Sequence, residues 1–178
     1  MKPYVTAAFE RLEVPDAQTQ SDAALELCMM LEASLWPKRL EAIHRSILPA
    51  EALSSPLNVD EIYEFVMVIS EKVSNEDLVL GARMALLTAL GKTGFPVALI
   101  SILKFINAHC DDLDNNYLCG TLAAIKIYST EEPEHSQIRD ALQKYNTKAV
   151  LERIVEIGSD DAKSAAVRIL TTITRCGF

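Results

Sequence analysis

The sequence predicts an all-α chain of stacked helices, and three observations carry that expectation. The core-forming residues are chiefly Leu, Ile, Val and Ala, with aromatics at only 6%, and they recur at helical spacing with little strand-type alternation. A phrase also recurs: Thr88-Ala89-Leu90-Gly91-Lys92-Thr93-Gly94-Phe95 is echoed 83 residues later by Thr171-Thr172-Ile173-Thr174-Arg175-Cys176-Gly177-Phe178. Finally, Glu76 to Gly81 matches Asn115 to Gly120 in character, which divides the interval of 83 into unequal steps of 39 and 44 residues. Repeats of roughly forty residues point to a helical solenoid, whose usual product is an extended binding surface.

Taken in order, the elements follow from local signals. Pro3 to Glu13 reads as a short helix with Val5, Phe9 and Leu12 on one face, ended at Val14-Pro15-Asp16. A stronger helix is expected from Ser21 as N-cap to Ser34, then another opened by Trp36-Pro37 with Leu40, Ile43 and Ile47 as its apolar stripe. Pro49 to Leu57, with two prolines and two serines, reads as a loop. Asn58-Val59-Asp60-Glu61 is a capping-box pattern ahead of Ile62, Phe65, Val66 and Ile69. A helix from Glu76 to Leu90 is stopped by Gly91 and Gly94. Phe95-Pro96 starts another, apolar almost all round, with Ser101 and Lys104 as a narrow wet stripe. Asp111 to Asn115 forms a turn before a helix from Asn116 to Tyr128, which Thr130 to Pro133 breaks. Helices from Ser136 to Lys144, Thr147 to Ile157 and Asp160 to Arg175 complete the chain, with a break at Gly158-Ser159.

Gly94 to Leu103 resembles the second helix of an armadillo repeat, whose pattern is Gly-Ile-Pro-x-Leu-Val-x-Leu-Leu, and Ala149 to Gly158 is similar. Ala165-Ala166-Val167-Arg168-Ile169-Leu170 resembles the third-helix pattern Ala-Ala-x-x-Leu. The resemblance to the armadillo/HEAT family covers roughly 58–178. It implies a right-handed superhelix of about three repeats (58–94, 95–133, 134–178), one continuous domain behind an N-terminal helical cap, 1–57. Peptide-binding armadillo proteins carry an Asn near the end of the third helix. Here those positions hold Thr88 or Ala89, Ile127, and Thr171 or Thr172, so the resemblance does not extend to clamping of an extended peptide.

A net charge of -8 argues against a general nucleic-acid binder, whose phosphate contacts need clustered Lys and Arg. Many of the acids cluster at helix starts (Asp60-Glu61, Glu76-Asp77, Asp160-Asp161), where they complement the helix dipole. Cysteines at 28, 110, 119 and 176 form no CxxC pair, which favours reduced thiols over a disulfide framework. Met1 to Glu13 lacks the apolar core of a signal peptide, and the apolar run Phe95 to Leu103 is short of the roughly 18 residues a membrane span needs. A cytoplasmic protein is expected, with the nucleus as the alternative.

The chemical motifs dissolve on inspection. Gly91-Lys92-Thr93 lacks the earlier glycine of a phosphate loop, with Leu86 in its place. Asp112 to Asn116 begins like a calcium loop but has Tyr117 where glycine belongs and Ala123 where glutamate belongs. His109, Cys110 and Cys119 lack a fourth zinc ligand, and His44, His109 and His135 stand isolated. The expectation is a non-enzymatic interaction module without catalytic, metal or cofactor residues, binding a protein or peptide along its stacked helices. Arg83, Lys126 and Arg168, spaced 43 and 42 apart, are the candidate partner-binding residues as a basic ladder. Self-association through the terminal repeat is a further option. The alternatives are a formin-like regulatory armadillo segment, which would bind a small GTPase or an autoinhibitory tail, and a HEAT-like DNA glycosylase, which the acidic charge disfavours.

Overall fold

The computed structural model describes residues 1–39, 42–130 and 136–175, except for the side chains of 39, 42–44, 115, 127, 129 and 130. Leu40, the break at 131–133, His135, Cys176 and the Gly177-Phe178 echo lie outside the described residues, as do the side chains of Ile43, His44 and Ile127. Eleven α-helices and no strand occur among the described residues, so the chain is all-α. Its contacts divide it into two compact units, Met1–Ala89 and Leu90–Phe178. Residues 1–57 thus share a unit with the helix that follows the capping box.

The first unit holds α1 (Pro3–Leu12), α2 (Ala17–Leu35), a 3-10 turn at Pro37–Arg39, α3 (Ala42–Ile47), α4 (Ala50–Ser54), α5 (Val59–Lys72) and most of α6 (Leu80–Gly91). Helix α1 buries Val5, Ala8, Phe9 and Leu12, the 3.6-residue stripe of an amphipathic helix, and packs on α2. The ring of Phe9 lies 5.5 Å from that of Phe65 on α5. Arg11 pairs with Glu26, and Lys72 with Glu13.

Several boundaries differ from the sequence expectation, each for a local reason. Helix α2 starts five residues early because Asp16 is its N-cap, accepting from the Thr19 N–H at 2.7 Å; Ser21 sits inside and returns its hydroxyl to the Ala17 carbonyl. Ile47, expected in an apolar stripe, is 36% exposed. The expected loop at 49–57 contains α4, held by Lys2 Nζ and Tyr4 Oη, each donating at 2.8 Å to the Ser55 carbonyl. The capping box of α5 is present in both directions, Glu61 N–H to Asn58 at 3.0 Å and Asn58 N–H to the Glu61 carboxylate at 2.9 Å. Helix α6 begins at Leu80, not Glu76. Buried Gln20 claims the preceding turn by accepting from the Val79 N–H at 2.9 Å, and Asn75 accepts from the Asp77 N–H.

The second unit takes the end of α6 and holds α7 (Pro96–His109), α8 (Asn115–Thr130), α9 (Ser136–Lys144), α10 (Thr147–Ile157) and α11 (Asp160–Arg175). A Cβ on Gly91 would fall 2.6 Å from the Cβ of Ala124, so Gly91 is what lets the end of α6 approach α8. Gly94, at φ 73°, makes the left-handed turn into α7. Tyr128 donates its hydroxyl to the Leu90 carbonyl at 2.9 Å across the same junction. Ser101 is buried and bonds back to Val97, so the expected wet stripe of α7 reduces to Lys104. Asn107 Nδ2 donates to the Tyr145 carbonyl at 3.0 Å, pinning the α9–α10 turn to α7. Gly81 and Gly120, matched in the sequence, fall at different places in their helices, near the start of α6 and well inside α8.

Candidate functional site

Helices α10 and α11 are joined by Gly158 and Ser159 alone, a connection that makes them an antiparallel hairpin. Gly158 is required there: a Cβ would lie 2.7 Å from the Ile154 carbonyl oxygen and 3.1 Å from the Cβ of Ala162. The inward stripe of α11, Ala162, Ala166, Ile169 and Ile173, is buried, and the helix packs against α8 and α10. Leu151 and Ile154 of α10 are buried with it.

The outward side of the hairpin carries a second apolar stripe. Val155, Val167 and Leu170 line an open groove of about 710 Å³ between α10 and α11, with Thr171 and Thr174 beside them. Val167 is 47% exposed, so a sizeable aliphatic side chain of this groove's lining stands in solvent. Glu152 and Glu156 edge it from α10 and Arg175 from α11. Glu152 pairs with Lys148 at 3.9 Å. Glu156 pairs with Arg153 at 3.2 Å, and Arg153 also reaches Asp111 at 3.2 Å. These hydrogen bonds, to Glu156 first and then to Asp111, raise the pKa of Arg153.

The three basic residues singled out from the sequence divide. Arg83 on α6 is only 8% exposed, and its Nε donates to the Val73 carbonyl at 2.9 Å. Burial lowers its pKa, with Glu76 acting in the opposite sense. Its guanidinium thus serves the interior of the first unit, which corrects the expectation that it projects from a groove. Lys126 on α8 and Arg168 on α11 are exposed in the second unit. Arg168 lies three and seven residues before Thr171 and Arg175, on the stripe bordering the groove.

Cys28, Cys110 and Cys119 are in no disulfide among the described residues. Burial first, then the charges of Asp111 and Asp161 respectively, pushes the thiols of Cys110 and Cys119 up, which disfavours their thiolate forms. His109 packs its ring 4.7 Å from that of Phe105. Among the described residues, no group of three or more His, Cys, Asp or Glu is placed to hold a metal ion, and no helix is long and apolar enough to cross a membrane.

Sequence reasoning passed over Val155, Val167 and Leu170. The available signal was the width of the apolar pattern in 162–173, where Val167 and Leu170 fall off the stripe set by Ala162, Ala166, Ile169 and Ile173. Comparison of the chain with known protein families, curated proteins and solved structures finds no match in any of the three.

Proposed function

We propose that this chain is a non-enzymatic, armadillo-like interaction module that docks a protein partner on the outward face of the α10–α11 hairpin. The open groove lined by Val155, Val167 and Leu170 carries this reading, because apolar side chains gathered in a charge-edged surface are characteristic of binding sites. The succession of short α9, middle α10 and long α11 supports the repeat assignment, since an armadillo repeat consists of three helices in that order. Arg168, beside the groove on α11, is the partner-facing cation; Lys126 is exposed on α8, and Arg83 is buried in the first unit.

A photo-crosslinking residue placed at Val167, compared with one at the 75% exposed Val59, tests the site in the native cell. A protein adduct specific to position 167 is expected. Equal labelling from both positions, or none from 167, would sink the proposal.

A further inference from the structure

We infer that the outward face of α5 is a second docking surface, and that its occupant is an amphipathic helix carrying Lys or Arg along one flank of its apolar row. This face belongs to the first unit and stands independently of the α10–α11 reading.

Val59, Tyr63 and Met67 follow one another at intervals of four along α5, and they are 75%, 52% and 37% exposed. Single exposed hydrophobic residues are ordinary. Three in register make a ridge, about 12 Å long at a rise of about 1.5 Å per residue. Helix α5 meets its own core through other residues, since Ile62, Phe65, Val66 and Ile69 are buried. A ridge of side chains spaced by four is the form that interdigitates with the like ridge of another helix.

Charge names the kind of helix. At about 100° of rotation per residue, Asp60, Glu64 and Glu71 fall within one arc of about 40° beside the ridge. All three are exposed. Glu64 meets the Met1 amino group at 3.4 Å yet stays 53% exposed. Among the described residues, Asp60 and Glu71 have no ion-pair partner. The other flank of the ridge is formed by Ile62 and Val66, buried and uncharged. The single basic residue of α5, Lys72, is engaged by Glu13. The ridge is thus bordered by acid on one side alone, and a helix with cations on the matching flank answers that asymmetry.

A second copy of this chain does not. A two-fold operation that lays α5 on its mate, ridge on ridge, has two senses. One sets the acid row against the acid row of the other copy, which like-charge repulsion disfavours. The other sets it against the flank of Ile62 and Val66, residues with no charge to offer.

Fluorescence anisotropy with the purified full chain tests the surface. The probe is a labelled, stapled helical peptide of about 18 residues with Leu at i, i+4 and i+8 and Lys along one flank. It should bind at least roughly tenfold more tightly than two control peptides, one with Glu replacing the Lys residues and one with Ser replacing the Leu residues. Tyr63→Ser should weaken binding about tenfold by removing buried apolar contact, and Met67→Ser is the second probe of the ridge. Glu71→Lys should weaken binding of the Lys-flanked peptide and strengthen that of the Glu-flanked one. Asp112→Lys makes the same change in net charge at an exposed acid of the second unit and should do neither. Circular dichroism checks that every variant keeps its helicity.

A Lys-flanked peptide that binds no better than either control would overturn the inference. So would indifference to both ridge substitutions, or equal losses from Asp112→Lys and Glu71→Lys, which would mean attraction to the net charge of -8 and not to this face. The titration involves no residue of the α10–α11 face, so the two readings fail separately. A crosslinker at position 59 sits on the ridge and captures the basic partner of α5, a different protein from the adduct at position 167. One protein captured equally from both positions would sink the groove reading alone.

Discussion

Reversing the charge of Arg83 should destabilise the first unit before it touches any binding event. Arg83 is 8% exposed, and its Nε bonds to the carbonyl of Val73, the C-cap of α5. The last carbonyls of a helix lack intrahelical donors and carry the negative end of its dipole. A hydrogen bond from a charged donor to such a group contributes ~1.5–3 kcal/mol. Arg83→Gln keeps a shorter, neutral donor and should therefore cost about 1–2 kcal/mol. Arg83→Glu puts a buried carboxylate beside a carbonyl and in the field of Glu76, an unpaired buried charge worth about 3–5 kcal/mol of destabilisation. That is a large fraction of the ~5–15 kcal/mol that holds an ordinary domain together. Urea unfolding followed by circular dichroism and by the fluorescence of Trp36, the single tryptophan and a member of the same unit, measures both variants. If Arg83→Glu unfolds within ~0.5 kcal/mol of the wild type, as a neutral surface change does, the guanidinium is not structural and returns as a surface candidate.

Two further perturbations test local devices of the fold. Gly91→Ala gains ~0.5–1 kcal/mol of helix propensity but forces a Cβ to 2.6 Å from that of Ala124, an overlap costing about 1–3 kcal/mol, so a net loss of thermal stability is expected. Adding Ala124→Gly should recover part of that loss, since the Ala124 backbone would still lie 2.9 Å from the new methyl; full additivity of the two changes would refute the contact. At Asp16, hydrogen bonds from Thr19 hold the carboxyl below its ordinary 3.8. A depressed carboxyl stabilises the fold above its unfolded pKa and loses that contribution as pH falls through the folded value. The urea midpoint should thus drop below about pH 4, and Asp16→Asn should flatten that part of the profile; an unchanged profile would exclude the cap as its source.

Helices were legible where their signals are local. Asn58 and Glu61 form a capping box from four consecutive residues, and Gly158-Ser159 stops α10 without help from elsewhere. The sequence misled where a distant residue decides. Gln20 occupies the turn at 77–79 from 57 and 59 residues away and delays α6. Lys2 and Tyr4 hold the carbonyl of Ser55 and, with it, the end of a helix where prolines and serines had indicated a loop. The repeat signal was also partly accidental. Gly91 is required by a 2.6 Å approach, whereas Gly81 and Gly120 hold unlike positions in α6 and α8.

The candidate site escaped notice for a different reason. A period of 3.6 identifies an apolar face, but it cannot tell how many faces a helix must cover. In α11 one stripe, through Ala166 and Ile169, meets α8 and α10, and a second, through Val167 and Leu170, meets solvent. An exposed valine alone means nothing, since more than half of any protein surface is apolar. The same valine carries meaning when a neighbouring helix adds Val155 to make a groove, edged by Glu152 and Glu156 from one helix and Arg175 from the other. The pattern of one helix could not show this, because the groove exists only where two helices meet.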